Sequence, residues 1–252
     1  MYPFSKTLLG IDIHDHLVQF VELKQQGKKV ELLAYNRMTI PEGLIQDGQV
    51  KKEPELKELL QKLLLEANPR PAKVKEVALI LPTQVTFIHI FPFPSKLSEK
   101  DLRKFIPVEL ENILPYSIEE VYWDFKVLDK DKQGSQHVLF AATPKVNSDQ
   151  YLKIFAELGL TPRLFGIQAE ALQNALSYKL FPQKNVLVVE LGALATNYLF
   201  LKGTVIQKFV SINGGIEALI DDLSREFGLP SEELWANWET HKNEHRFQEP
   251  LR

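Results

Sequence analysis

The sequence predicts an α/β fold in which one three-stranded unit occurs twice and a separate four-element module interrupts the first copy. Three observations lead to this prediction. Residues 7–40 and residues 186–212 each hold three strand-like segments divided by turn residues. A shift of 178 positions lays the first set on the second. Between them, residues 85–142 carry a strand, a helix and two strands with an apolar pattern of their own.

The first meander comes from three segments near the start of the chain. Residues 7–12 form a short apolar run that ends at an acid, and residues 17–23 alternate between apolar and polar side chains. Gly27 supplies a turn, and residues 30–40 are β-branched and aromatic. This pattern is typical of three consecutive antiparallel strands.

A helix and a fourth strand complete this part of the chain. Pro54 suits the first turn of a helix. Prolines within residues 68–71 should stop that helix, because proline disfavours helical geometry in the residue before it. Residues 77–81 then read as a buried strand. The apolar face of the helix consists of Leu56, Leu59, Leu60, Leu63 and Leu64.

The inserted module starts with a strand at residues 85–91, which we expect Pro92 and Pro94 to end. Two further strands follow at residues 121–128 and 137–142, joined by a polar turn. Because this segment alternates and turns independently of its neighbours, it predicts a compact module with its own core.

The helix of the module has a recognisable start. Ser98 and Asp101 form a capping-box pair. Pro107 lies inside the helix and should kink or shorten it, since proline lacks an amide donor and crowds the preceding turn. The predicted apolar face consists of Leu102, Phe105, Ile106, Leu110 and Ile113.

The remaining elements are two helices, a second meander and a third helix. Gly159 closes the first of these helices, and residues 164–167 form a short strand before the second. The second meander consists of residues 186–191, 196–201 and 205–212. The helix after it ends at Gly228, and nothing beyond Phe227 resembles the later strands of the first half.

The two meanders share one register, so we interpret them as a duplication. The 178-position shift lays residues 11–13 on residues 189–191, and each first strand then ends at an acid. It also lays residues 17–24 on residues 195–202. Agreement over consecutive elements is typical of an internal repeat.

Composition excludes several function classes. The chain has 252 residues with 30 basic and 33 acidic side chains, a formal charge of −3, so no basic surplus indicates nucleic-acid binding. The absence of cysteine excludes a disulfide framework, thiol catalysis and cysteine-bound zinc. No apolar run reaches the roughly 18–20 residues of a membrane span, and residues 1–6 lack the order of a secretory signal. We expect a cytosolic protein without direct membrane insertion.

Five short motifs occur in one order along nearly the whole chain. They are residues 9–13 (LGIDI), 78–82 (ALILP), 109–125 (ELENILPYSIEEVYWDF), 141–142 (AA), and 190–193 (ELGA) with 212–215 (INGG). Together they resemble the PilM family of type IV pilus assembly proteins, which are actin-like. The cell-division protein FtsA is a cousin with the same insertion.

The resemblance implies an actin-like (ribonuclease H-like) duplicated fold with an inserted strand–helix–strand–strand module. It divides the chain into a first half at residues 1–84 and 143–182, the module at residues 85–142, and the start of a second half at residues 183–252. Because later strands have no counterpart after the second meander, the second half is predicted to be truncated.

The resemblance also implies a nucleotide site. In the actin-like plan the two halves face each other across a cleft, the first hairpin turn of each half offers backbone amides to the phosphates of ATP, and carboxylates hold a hydrated Mg²⁺. The residues of this chain that match those positions are Asp12, His14, Glu190, Gly192, Thr196, Gly214 and Gly215.

Several of these positions depart from the family pattern, so the sequence predicts a degraded nucleotide site. His14 stands where the family has a glycine, and its imidazole should crowd a phosphate. Asp15 is expected to add negative charge where an anion would sit. In the second turn, residues 193–195 (ALA) replace small polar residues. We therefore expect no tight binding of ATP and, in consequence, no enzymatic activity.

The partner implied by the resemblance is a PilN-like protein anchored in the inner membrane. Its N-terminal tail is expected in a groove between the first half and the module, which would hold the protein at the membrane. Other pilus assembly proteins and a homo-oligomer are further possible partners. The groove residues predicted here are Ile88, Phe91, Phe105, Leu110, Ile113 and Leu114.

Other interpretations stay open at this point. One is an ATP-dependent phosphotransferase of the same superfamily, such as a sugar kinase, and another is the equivalent scaffold of type II secretion. A metal site at residues 14–16 beside Asp12, or at His241 and His245, competes with an ordinary polar surface. Segments that could be partner surfaces or simple packing are residues 91–94 and the pair Trp235 and Trp238.

Overall fold

Strands and helices follow one another in the predicted order. The structure, a computed structural model, describes residues 7–27, 29–130, 133–177, 184–231 and 233–234. The strands are β1 Thr7–Ile13, β2 Leu17–Gln26, β3 Lys29–Thr39, β4 Ile45–Gln46, β5 Gln49–Val50, β6 Glu76–Ile80, β7 Phe87–Pro94, β8 Val121–Lys130, β9 Ser135–Pro144, β10 Thr161–Gly166, β11 Asn185–Leu191, β12 Ala195–Lys202 and β13 Val205–Asn213. The helices are α1 Glu53–Leu65, α2 Glu99–Leu110, α3 Lys145–Glu157, α4 Gln168–Ser177 and α5 Ile216–Phe227.

The first unit contains a five-stranded sheet in the order β10-β6-β1-β2-β3. β1, β2 and β3 pair antiparallel as a meander, whereas β6 pairs parallel with both β1 and β10. A short hairpin of β4 and β5 follows the meander. Its two strands are too short for a periodic pattern to reveal them.

Two helices cover one face of this sheet. Alternate residues of β1 and β2 point toward them, because side chains of a strand alternate between its two faces. α1 and α3 bury their apolar stripes against that face. The largest fully buried side chains of this core include Leu9, Ile11, Ile13, Leu56, Leu60, Leu79, Tyr151 and Phe155.

One charged side chain faces the same core. Glu22 of β2 is 1% exposed, and its carboxylate accepts two hydrogen bonds from Arg70, at 3.0 Å from Nη2 and 3.2 Å from Nη1. The backbone amide of Lys73 donates a third, at 3.1 Å. This bidentate pair ties the segment after α1 to the meander.

The module forms a separate three-stranded sheet in the order β7-β9-β8, with both pairings antiparallel. α2 packs on one face of it, and the core between them consists of Phe93, Leu102, Ile106, Leu110, Val121, Val138, Phe140 and Ala142. Ser98 and Asp101 form the predicted capping box. The predicted order of strand, helix, strand, strand is therefore confirmed.

Two details of the module differ from the sequence predictions. Pro92 does not end the strand but lies within β7, which tolerates it because β7 is an edge strand, and Pro94 is the last residue of the strand. α2 runs through Pro107 and ends at Leu110, three residues later, so Ile113 lies in the turn beyond it. Ile113 and Phe105 are each 48% exposed and do not belong to the core.

The second unit contains most of the predicted second meander, a three-stranded sheet in the order β11-β12-β13. α5 follows it and ends at Phe227, and the next residue, Gly228, caps the helix with a positive φ of 65°. Trp235, Trp238, His241 and His245 lie outside the described residues. Within the described part of the chain, no helix combines the length and apolar character needed to cross a membrane.

Candidate functional site

The turn between β1 and β2 holds an acid, an amide and an imidazole together. Asp12, the next-to-last residue of β1, accepts a hydrogen bond from Gln19 Nε2 at 3.0 Å on its Oδ2. The Nε2 atom of His14 lies 3.1 Å from the same oxygen. The His14 amide donates to the Leu17 carbonyl at 2.8 Å and closes the turn. The structure thus brings the two predicted residues of the first turn together and adds Gln19.

Burial and pairing act on Asp12 in opposite directions. Burial alone would raise the pKa of its carboxyl, but the hydrogen bond and positive charge of His14, together with the Gln19 amide, hold that pKa below its usual value. Asp12 is therefore ionised at neutral pH. Its second oxygen, Oδ1, is buried without a hydrogen-bond partner among the described residues.

Asp15 corrects a sequence prediction, because its charge does not face an anion site. Its side chain is 5% exposed and accepts the backbone amides of Asp47 at 2.7 Å and Gly48 at 2.9 Å. Both of those residues have positive φ angles, which turns two successive amides toward one anion. The hydroxyl of Tyr151 donates to the Gly48 carbonyl at 3.1 Å from the other side. Asp15 thus anchors the β4–β5 hairpin.

The second turn, between β11 and β12, repeats the bonding of the first. Asn197 Nδ2 donates to Glu190 Oε2 at 2.9 Å, as Gln19 does to Asp12. The Gly192 amide donates to the Ala195 carbonyl at 3.0 Å, as His14 does to Leu17. Because each of these pairs is related by the 178-position shift, the duplication extends to individual hydrogen bonds.

The start of α5 packs directly on this second turn. The amides of Ile216 and Glu217 donate to the carbonyls of Gly192 and Ala193, at 2.9 and 3.1 Å. A Cβ atom on Gly215 would collide with those two carbonyl oxygens, so the approach requires glycine.

Thr196 and Gly214, two further predicted residues of this turn, are in contact. Thr196 Oγ1 donates to the Gly214 carbonyl at 2.7 Å. The structure therefore brings all five predicted residues of the second turn together. The turn is connected to the segment that leads into α5 by contacts of Gly192, Thr196, Gly214 and Gly215. The sequence analysis missed the amides Gln19 and Asn197, although its own register had aligned them.

The metal interpretation of residues 14–16 gains no support from this arrangement. Asp15 is turned into the fold, and His14 is paired with Asp12. Among the described residues, no group of three or more histidine, aspartate or glutamate side chains is placed to hold a metal ion.

The predicted partner residues belong to β7, to α2 and to the turn that follows α2. Ile88 and Phe91 of β7 are half-buried, and Phe105 of α2 is exposed. Leu110 lies in the module core and packs α2 onto its sheet, while Leu114 packs partly against the same core. The six predicted residues therefore all belong to the module.

A depression separates the module from the ends of β6 and β10. It has a volume of about 180 Å³. Segments far apart in the sequence form it, so no local pattern could reveal it. Its lining includes Leu81, Thr86, Tyr122, Asp124, Phe165 and Ile167.

Comparison with known proteins identifies the family. Residues 10–249 match the family described as type IV pilus assembly protein PilM. The chain belongs to the PilM family. A solved PilM-PilN type IV pilus biogenesis complex is similar to it with a TM-score of 0.80 and 23% identity, over 99% of this chain and 73% of that one.

Other solved structures are less similar to this PilM family member. The ethanolamine utilization protein EutJ from Carboxydothermus hydrogenoformans matches with a TM-score of 0.56 and 12% identity, over 98% of this chain and 66% of that one. MreB 5 of Spiroplasma citri bound to AMPPNP has a TM-score of 0.41 and 14% identity, over 89% and 57% of the two chains. The predicted duplicated actin-like fold with an inserted module is confirmed.

Proposed function

We propose that this PilM family member is a cytoplasmic scaffold of type IV pilus assembly that binds the N-terminal tail of a PilN-like membrane protein through its inserted module. The tail would hold the scaffold at the inner membrane. The observation that carries the proposal is the family match, together with an edge strand of the module that no other strand covers among the described residues and an exposed aromatic side chain on its helix. The equivalent scaffold of type II secretion would be distinguished by its genomic neighbours.

Binding of the tail can be measured directly. A synthetic peptide of the tail of the PilN-like protein from the same genome is expected to bind the intact protein in calorimetry. Phe105→Glu should weaken this binding about tenfold or more, because a charge would replace an aromatic anchor. Val146→Glu on α3 is the matched control, since Val146 is also an exposed apolar helix residue but lies outside the module. A wild-type protein that does not bind the peptide would rule out this function.

For the nucleotide, we infer weak binding of Mg·ATP and no turnover. Oδ1 of Asp12, which has no hydrogen-bond partner among the described residues, would suit a hydrated Mg²⁺, but the imidazole of His14 already lies 3.1 Å from the other oxygen of that carboxylate. In the family this position is a glycine, and an imidazole there would crowd an approaching phosphate. On balance the first turn fits Mg·ATP poorly.

Calorimetry with Mg·ATP tests this inference. The wild-type protein should give no saturable heat at micromolar concentrations, whereas His14→Gly should bind measurably more tightly because it frees both the carboxylate and the turn. Micromolar binding with turnover by the wild-type protein would favour the phosphotransferase alternative instead.

A further inference from the structure

Six strands stand at the edges of the three larger sheets in the described part of the chain, and five of them carry residues that oppose pairing with another chain. Proline opposes it because it lacks an amide donor, and lysine or arginine opposes it because a charged side chain resists burial. Residues of these types are Lys29 and Arg37 of β3, Pro92 and Pro94 of β7, Lys126 and Lys130 of β8, Pro162 and Arg163 of β10, and Lys208 of β13. The sixth strand, β11 (NVLVVEL), carries none of them.

The free edge of β11 corresponds to an edge that is paired in the first unit. β1, the equivalent strand under the 178-position shift, pairs with β2 on one edge and with β6 on the other. β11 has β12 on one edge and, among the described residues, no strand on the other. The amide of Gly192 donates toward β12, to the Ala195 carbonyl. Because successive residues direct their amides to opposite sides, the odd-numbered residues of β11 direct theirs outward.

One face of β11 is apolar and exposed along its whole length. The side chains of Leu187, Val189 and Leu191 are 52%, 53% and 51% exposed. Their equivalents on β1 are at most 1% exposed, since α1 and α3 pack against that face of the first sheet. A contiguous apolar stripe beside an open strand edge is typical of an interaction surface.

The sequence of β11 suits pairing with a second copy of the same strand. A two-fold axis brings two copies of a strand together antiparallel. With the axis at Val188, the central residue, all four odd-numbered residues of each strand direct their amides and carbonyls to the other strand. Leu187 then lies opposite Val189 of the second copy, and Glu190 lies opposite Val186 instead of opposite another acid. Any shift from this register shortens the paired segment.

We propose that two copies of this chain associate by antiparallel pairing of their β11 strands, which joins their two second-unit sheets into one continuous sheet. The proposal is independent of the binding of a tail by the module. Main-chain bonds at the odd-numbered residues supply the pairing, and the contacts of Leu187 with Val189 of the second copy add to it. Because one pair of strands buries less surface than a standard interface, we expect a dissociation constant of about 10 μM.

The oligomeric state of the intact chain tests the proposal. Sedimentation equilibrium at concentrations below and above that constant should show a monomer that converts to a dimer and to nothing larger, because the pairing uses up the open edge. Hydrogen exchange at the amides of Leu187 and Val189 should slow as the concentration rises, whereas the amide of Val188, which faces β12, should change little. A wild-type protein that stays monomeric throughout would overturn the proposal.

Val189→Pro tests the main-chain contribution. It removes an outward amide from each copy and leaves the amides that face β12 in place. The dimer should dissociate at about tenfold higher concentration than that of Val189→Ala, which loses most of the side chain but keeps the amide. Thermal unfolding of both variants verifies that they are folded.

A pair of charges tests the register without a proline. Leu187→Lys should weaken the dimer about tenfold, because it brings two lysines into one interface. Adding Val189→Glu to the same chain should restore association at low salt, since each lysine then lies opposite a glutamate of the other copy. If the double variant associates no better than Leu187→Lys alone, the register at Val188 is wrong.

Phe200→Lys separates pairing at the edge from stacking of two sheet faces. Phe200 is 41% exposed and, by the register of β1 with β2, lies beside Leu187 on the same face but one strand away from the edge. Pairing through β11 predicts that Phe200→Lys leaves the dimer nearly unchanged. If Phe200→Lys abolishes the dimer while Val189→Pro behaves like Val189→Ala, the sheets stack face to face and strand pairing is wrong.

Discussion

Arg70→Met is expected to lower the free energy of unfolding by about 3–5 kcal/mol, because it leaves the buried carboxylate of Glu22 without its cation. Glu22 is 1% exposed and depends on Arg70 for two of its three recorded hydrogen bonds. Urea unfolding followed by circular dichroism should show a lower midpoint with an unchanged slope. The segment after α1 should also lose its attachment to β2.

Two control variants identify the cause. Arg103→Met removes an exposed partner, since the Arg103 and Asp124 side chains are 58% and 75% exposed, and it should cost less than about 1 kcal/mol. Combining Arg70→Met with Glu22→Leu should recover most of the loss, because no unpaired charge then stays in the core. If Arg70→Met alone costs no more than Arg103→Met, the pair does not carry the stability that we assign to it.

The same ion pair shows where sequence reasoning stops. The alternation of β2 places Val18, Phe20 and Glu22 on one face, so an acid falls on a core position. The periodicity predicts the strand in spite of it. The partner that makes this acid tolerable stands 48 residues later, in a segment with no periodic pattern. Long-range pairs of this kind require the fold to be known first.

The duplicated meander could be predicted in detail, because both copies keep one register. The alignment of Gln19 with Asn197 even contained the amide–acid pairs found at both turns. In contrast, the role of Asp15 could not be predicted. A local pattern says which residues flank a turn, but the direction of a side chain depends on what packs beside it, here a hairpin 32 residues away.

The module also has features that local sequence patterns predict and features that depend on long-range pairing. Its order of elements follows from periodicity and from the capping box at Ser98. Whether Pro92 ends a strand or lies in one depends on the position of β7 at the sheet edge, which only the pairing reveals. Likewise, helical spacing groups Phe105 with the apolar face, yet that face is narrower than the spacing suggests, and Phe105 is left on the surface.

Asp15→Ala is expected to lower the free energy of unfolding by about 2–4 kcal/mol, since it removes the acceptor for two backbone amides, one of them buried at Gly48. The hairpin would then lose the anion that favours the positive φ angles of Asp47 and Gly48. Urea unfolding measures the loss, and hydrogen exchange at those two amides locates it.

Graded substitutions make this expectation specific to the hairpin. Asp15→Asn keeps one acceptor oxygen and should lose roughly half as much, and Tyr151→Phe should cost about 1 kcal/mol by removing the hydroxyl that donates to the Gly48 carbonyl. Glu42→Ala, an exposed acid in the neighbouring loop, should change little. If Asp15→Ala instead left stability unchanged and strengthened the binding of Mg·ATP, the charge of Asp15 would act at an anion site after all, and its role as an anchor of the hairpin would be wrong.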